Sequence, residues 1–291
     1  MLYSMTGYGR VEKTIGEKTF LIEVRSLNGK QFDLRLLIPA LLKPYEFDIR
    51  NILNEGLERG SVECFINIKQ SGSAKPVTIN TDLLKAYYQS VTDVAKEINA
   101  PVNDLLAAVL RLPEVVVNST EILNENDWIE LEKILKEAIN LLNKHRAEEG
   151  KTLEADLLER LNNINTQQEA IIILEPKRRQ KIKDGLKKVL EENVGTDKYD
   201  ANRLEQELIY YIEKIDISEE QVRLKNHCNY FKSILNGKEK SKGKKLSFIL
   251  QEFGREINTT GSKAYDAEIQ KCVVLMKDEL EKAKEQVLNV L

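Results

Sequence analysis

Glu252, Arg255 and Glu256 stand close together in the segment GKKLSFILQEFGREIN, residues 243–258. Leu246, Ile249, Leu250, Phe253 and Ile257 recur there at helical spacing. They form an apolar stripe that should face a core, with the three charged residues expected on the other side. Two carboxylates one turn apart have the chemistry to share a hard divalent cation, and a guanidinium beside them can hold a phosphate. The same spacing also builds an ordinary ion-pair ladder on a solvated helix.

A second segment, DISEEQVRLKNHCNYFKSIL (residues 216–235), opens with Ser218 as a helix cap and Gln221 three residues on. It places Glu220, Arg223 and His227 on one face. Glu220 and His227 are roughly 10 Å apart along a straight helix, too far to ligate one ion by themselves. Asp266 lies roughly 21 Å beyond Glu252 on the same arithmetic. An active site built from these groups has to be assembled between helices or between subunits.

Basic residues gather in three places. The loop NGKEKSKGKK (residues 236–245) carries Lys238, Lys240, Lys242, Lys244 and Lys245, which suit either a solvated loop or a hinge that meets a polyanion and releases its counterions. Lys177, Arg178, Arg179, Lys181 and Lys183 follow Pro176 and read as a solvated arm. Arg10, Arg25 and Arg35 fall on strands, with Lys30 at a turn. They can grip phosphate or pair with Glu12, Glu23 and Asp33.

Other chemistries are excluded. Gly7-Tyr8-Gly9 has Glu12 where a dinucleotide fingerprint needs its third glycine, and the lysine loop has no Ser or Thr after its lysine as a P-loop requires. Neither HExxH nor GxSxG occurs. Cys64, Cys228 and Cys272 are dispersed and odd in number, which argues against a disulfide framework or a CxxC zinc site. With 31% charged residues and a formal net charge of −3, the chain is no polycation, so contact with nucleic acid has to come from local patches. No run of apolar residues is long enough to span a membrane and MLYSMTGYGR does not read as a signal peptide, so a cytoplasmic protein without a membrane partner is expected.

The elements that must position these residues are of two kinds. Residues 18–28, 32–39 and 61–69 alternate apolar and polar side chains and read as strands, with Asn28-Gly29 as a turn between the first two. Pro44 to Leu57 reads as a helix. After the loop SGSAKP (residues 71–76) the periodicity is helical: Thr81-Asp82 caps a helix to about Asn99, and a longer one opens near Asn124 and runs to about Val194, bent around Glu175-Pro176. Gly195 to Asp200 is a break before a last helical block. The expected class is α+β, with a β-rich region over 1–75, a helical region with a long arm over 76–200, and a C-terminal helical domain with the candidate site over 201–291.

SMTGYGR (residues 4–10), EVRSLNGKQFDLRLLIP (23–39), IRNILNEGLERGSVE (49–63), EEGKTLEADLLERL (148–161) and GKKLSFILQEFGREINTTGSKA (243–264) occur in order along the chain. Together they resemble the bacterial YicC/YloC family from the first residues to the last helix. Tyr8, where the family often has Phe, Gly254, where it commonly has Asn, and Lys30-Gln31, where it has Arg and an aromatic, depart from the pattern. The resemblance implies a stress-associated endoribonuclease that cuts single-stranded or hairpin RNA with Mn²⁺ or Mg²⁺ and forms a ring-like homohexamer. It turns Arg10, Arg25, Lys30, Arg35, Lys244 and Lys245 into expected RNA contacts.

In that light Glu252, Glu256 and Glu220 are the expected metal ligands, His227 the general acid or base, and Arg223 and Arg255 a phosphate clamp. Histidine is the side-chain type that exchanges protons near neutrality. Two routes stay open, attack by a metal-activated water and attack by the ribose 2′-OH. The alternatives are a non-catalytic RNA-binding adaptor ring, which needs the basic residues but not Glu252, Glu256 or His227, and a helical scaffold.

Overall fold

A computed structural model of the chain describes residues 1–16, 18–29, 31–70, 77–98, 104–118, 123, 125–194 and 201–291. The class is α+β, as expected: a four-stranded N-terminal sheet followed by a long helical body. Strands β1 (Gly7–Ile15), β2 (Lys18–Leu27), β3 (Phe32–Leu37) and β4 (Gly60–Gln70) form a sheet in the order β1-β2-β4-β3. Asn28-Gly29 does not make β2 and β3 neighbours, because β4 inserts between them, antiparallel to β2 and parallel to β3. The ten-residue β2 finds in β4 a partner for its whole length, from Lys18↔Gln70 to Leu27↔Ser61, which the six-residue β3 cannot offer.

Alternation gives the sheet one apolar face. Phe20, Ile22 and Val24 of β2 and Val62, Cys64 and Ile66 of β4 are buried there. Helix α1 (Glu46–Gly56), preceded by a 3-10 turn at Ala40–Tyr45, covers it with Ile49 and Leu53. Further along, α2 (Thr81–Glu97) is capped by Asn80, one residue before the Thr81 expected, whose side chain accepts from the Leu83 N–H at 3.2 Å. After α3 (Leu105–Val109), a short ribbon pairs β5 (Val77–Ile79) with β6 (Val116–Asn118).

Helix α4 (Glu125–Val194) links the two parts of the molecule. Its first stretch gives Leu131, Ile134, Leu135, Ala138 and Leu142 to the sheet core. Its middle gives Leu153, Leu157, Leu161, Ile164 and Ile171 to a second core with α6 (Ser218–Asn236), α7 (Gly243–Ala264) and α8 (Ala267–Val287). Pro176 lies inside α4, at the cost of one N–H donor. Arg178, expected on a solvated arm, is buried instead: it donates to the carbonyls of Ala264 (2.7 Å) and Lys263 (3.0 Å) at the end of α7 and of Ile215 (2.7 Å) after α5 (Ala201–Lys214). It thereby satisfies the orphan acceptors of a helix terminus. Ser218 does not cap α6 as expected; the Asp216 carboxylate accepts from its N–H at 3.1 Å and its hydroxyl at 2.7 Å. The breaks expected at residues 71–76 and 195–200 lie outside the described residues.

The first residues lock the two cores together. Leu2 belongs to the helical core, Ser4 donates to the Arg146 carbonyl at 2.9 Å and bridges to Val290, and Leu291 donates to the Tyr3 carbonyl at 2.9 Å. The approach to α4 requires glycine. A Cβ on Gly9 would sit 2.1 Å from the Ala138 carbonyl oxygen, and one on Gly150 2.1 Å from that of Leu2. No helix among the described residues is long and apolar enough to cross a membrane.

Candidate active site

Helices α6 and α7 form an antiparallel pair whose register is fixed by three cross-contacts. Lys263 pairs with Glu220 at 2.8 Å, Gln221 donates to Thr260 at 3.1 Å, and the Phe231 and Phe253 rings lie 6.0 Å apart. Glu220, His227 and Phe231 share one side of α6. The half-buried His227 is therefore level with residues 254–257 of α7, where Arg255 and Glu256 stand. The register thus sets His227 and residues 252–256 at the same level of the helix pair.

At that level the charged residues differ. Arg255 is exposed and pairs with the half-buried Glu252 at 3.0 Å, the ladder that the spacing allowed. Glu256, about 40° round the helix from Glu252, lies toward the packed side. It is only 8% exposed, in line with Ile249, and makes no hydrogen bond or ion pair with any described residue. Helical geometry accounts for this, since seven residues make nearly two whole turns and return Glu256 to within about 20° of Ile249. The Glu256 carboxylate oxygens are not among the buried polar atoms that lack a partner, so the stem of the side chain is packed while its charged end reaches solvent.

Glu220 lies away from this group. Its Oε1 accepts from Lys263 at 2.8 Å while Oε2 is buried without a partner among the described residues, nearly two turns further along the pair than His227. Arg223 is exposed and paired with Glu219. Among the described residues no three His, Cys, Asp or Glu side chains converge as a metal site. The three-carboxylate set Glu220, Glu252 and Glu256 is therefore not assembled within one chain. Glu252 and Glu256, one turn apart on α7, have the donor chemistry of a smaller set, since Mg²⁺-type ions commonly take one or two carboxylates and fill the remaining positions with water and substrate phosphate.

The expected phosphate contacts divide in the same way. Tyr8, Arg25, Glu63 and Arg35 align across all four strands on the outward face of the sheet, and Arg10, Glu23, Phe65 and Leu37 form the next row. Each arginine has an acidic neighbour: Arg10 with Glu12 at 3.2 Å, Arg25 with Glu23 at 3.5 Å and Arg35 with Glu63 at 3.5 Å. Arg25 also lies 5.5 Å from the centroid of the Tyr8 ring. These exposed pairs are weak, so the guanidinium groups stay available to a polyanion. Lys30 lies outside the described residues.

In the lysine loop, Lys245 pairs with Glu239 at 2.5 Å and Lys240 with Glu58 at 3.6 Å. Lys242 is buried and donates to the carbonyls of Leu235 (2.6 Å) and Met1 (3.3 Å). Burial lowers its pKa against the opposing pull of Glu154 and Glu239. It fastens the loop and is unavailable to a ligand, while Lys244 is exposed.

Between the sheet and the start of α7 lies a groove of about 560 Å³, lined by Asn28, Arg59, Lys244, Ser247, Phe248 and Gln251 among others. Sequence reasoning found only Lys244 of these. Beneath it Arg146, also unforeseen, is 1% exposed and donates to Ser26 and to the Arg59 carbonyl at 3.0 Å. Its position seven residues before Leu153 was the available signal, a charge in register with an apolar stripe.

Two family models match the chain. The one described as "Endoribonuclease YicC-like, N-terminal region" covers residues 2–155, and "Endoribonuclease YicC-like, C-terminal" covers residues 171–291. A probable endoribonuclease YicC of Clostridioides difficile (strain 630) is 32% identical over 300 residues, spanning 100% of both chains. A protein of the same description from Haemophilus influenzae (strain ATCC 51907 / DSM 11121 / KW20 / Rd) is 29% identical over 297 residues, again spanning 100% of both.

Proposed function

Because the chain belongs to the YicC-like endoribonuclease family, whose two models together cover most of its length, we propose that it cuts single-stranded or hairpin RNA at the seam between α6 and α7. The observation that carries this reading is the register of the helix pair, which sets Glu256, packed along its stem and without a described partner, level with His227, beside Glu252 and the exposed Arg255. The proposal extends to a cytoplasmic, homohexameric protein that acts in RNA turnover under stress.

Phosphodiester cleavage needs a group that moves a proton and groups that absorb charge on the non-bridging oxygens. His227 is the proton carrier, and Arg255 draws the phosphate to the seam once it exchanges Glu252 for the RNA. Arg223, one turn before His227, reaches the same strand from α6. Glu252 and Glu256 would hold Mn²⁺ or Mg²⁺, which when bound supplies positive charge and a more acidic water. The outward sheet arginines hold the RNA away from the cut.

The test is cleavage of an end-labelled hairpin RNA by highly purified protein with Mn²⁺, with Mg²⁺ and with chelator, alongside His227→Ala, Glu252→Gln and Glu256→Gln. We expect each variant to bind RNA and remain folded while losing at least 100-fold in rate, in the range seen for general acid–base groups. Product ends identify the route, since attack by the 2′-OH leaves a 2′,3′-cyclic phosphate and hydrolysis does not. If all variants cut like the wild type, the seam is not the active site. If nothing cuts under any condition while RNA still binds, the protein is an adaptor.

A further inference from the structure

The groove between the sheet and α7 has the composition of a site that receives one end of a strand. Its rim carries two cations, Arg59 and Lys244, and no carboxylate is among its lining residues. Arg59 donates through Nε to the Gly29 carbonyl at 3.1 Å, and neither cation has an ion pair among the described residues. Phe248 stands in the wall with 56% of its surface exposed, an aromatic face on which no described ring stacks. Two carboxamides accompany it. Asn28 spends its amide on the Leu288 carbonyl at 2.7 Å, which fixes its position and leaves its oxygen as an acceptor, and Gln251 is exposed. The volume of about 560 Å³ falls within the roughly 300–1,000 Å³ of small-ligand sites.

The groove is also connected to the seam. Lys244, Phe248, Gln251 and Arg255 follow one another at four- and three-residue steps and so form a single exposed stripe on α7. Phe248 and Arg255 are about 10 Å apart along it.

We propose that this groove is a nucleotide subsite for the RNA substrate, in which one base stacks on Phe248 with its edge toward Gln251 and Asn28 while Arg59 and Lys244 hold the adjoining phosphates. The strand then runs along the α7 stripe to Arg255, so the groove sets which phosphate lies at the seam. Stacking on an aromatic ring tolerates every base, and the two carboxamides add a preference among them. The inference rests on the RNA-cleaving reading and adds to it where the strand is anchored.

The experiment uses the full-length protein and a fluorescein-labelled 12-nucleotide single-stranded RNA carrying 2′-O-methyl groups, followed by anisotropy over a salt series, with thermal unfolding as the control for folding. Phe248→Ala is expected to weaken binding about 5- to 150-fold, the range of one lost base–aromatic stack, and Phe248→Trp to restore it. Lys244→Gln is expected to lower the slope of log affinity against log salt by about 0.7, one single-strand phosphate contact. RNA containing 5-bromouridine should photo-cross-link to the peptide that holds Phe248. Wild-type affinity and slope in both variants, with cross-links only to the sheet face, would overturn the subsite and leave the nuclease reading standing. A wild-type protein that binds no RNA would overturn both.

Discussion

At the scale of single residues, two neighbouring lysines make opposite predictions. Lys242 is a buried strut whose ammonium serves the Leu235 carbonyl, so Lys242→Ala leaves that acceptor unsatisfied and is expected to cost about 1–3 kcal/mol. Calorimetry should register it as a lower Tm with little change in RNA affinity per folded molecule. Lys244, exposed at the groove, should leave Tm unchanged and alter only binding and its salt slope. The sequence shows both as members of one basic run, because composition does not tell which lysine the chain folds over. Glu256 teaches the converse. The spacing puts it with Glu252 and Arg255 on the polar face, yet it packs at 8% exposure, because which side of α7 is covered depends on what α6 and α8 present to it, and only the packed structure contains that information.

Elements show where local pattern suffices and where it fails. Strand alternation and the apolar stripe of α7 read directly from the sequence, since both follow from backbone periodicity. The neighbour of β2 did not, because pairing is settled by competition between distant strands. Gly254 lies inside α7, and a Cβ there would meet Leu280 at 3.5 Å, an ordinary contact. Gly254→Ala is therefore expected to stabilise the protein by about 0.5–1 kcal/mol, seen as a raised Tm. Gly9→Ala must instead drive its methyl into the Ala138 carbonyl and should unfold the sheet's contact with α4, lowering Tm sharply.

The α4–α8 contact carries a pH signature. Burial pushes the Glu279 carboxyl up, but hydrogen bonds from Asn163, Lys282 and Arg160 outweigh it and hold its pKa below the usual range. A depressed folded-state pKa stabilises above the unfolded value of about 4.3 and is lost as pH falls through the folded one. Glu279→Gln should thus lower Tm by about 2–4 °C for each kcal/mol lost at pH 7. The gap from wild type should close once the pH drops below the folded-state value, a comparison that thermal scans across the acid range would make.

At the scale of the whole molecule, the α+β class was legible, whereas the convergence of distant segments was not. Asn28 of the first hundred residues meets Phe248 and Leu288 only because the leading segment threads between α4 and the chain's last residues. Light scattering at physiological salt should give six times the 33.4 kDa of one chain if the ring forms. Replacing Arg10, Arg25 and Arg35 together by Gln should lower the salt slope of RNA binding by about 2, since each single-strand phosphate contact contributes about 0.7.

One helix seats itself in both cores, and this limits how the chain can be divided. Leu157, Leu161 and Ile164 lie between the spans of the two family models, 2–155 and 171–291, yet all three are buried in the second core. A C-terminal fragment begun at residue 171 would carry the second core without Leu153, Leu157, Leu161 and Ile164, its wall from α4. Insertions that move one region relative to the other must therefore respect the turn-by-turn phase of α4.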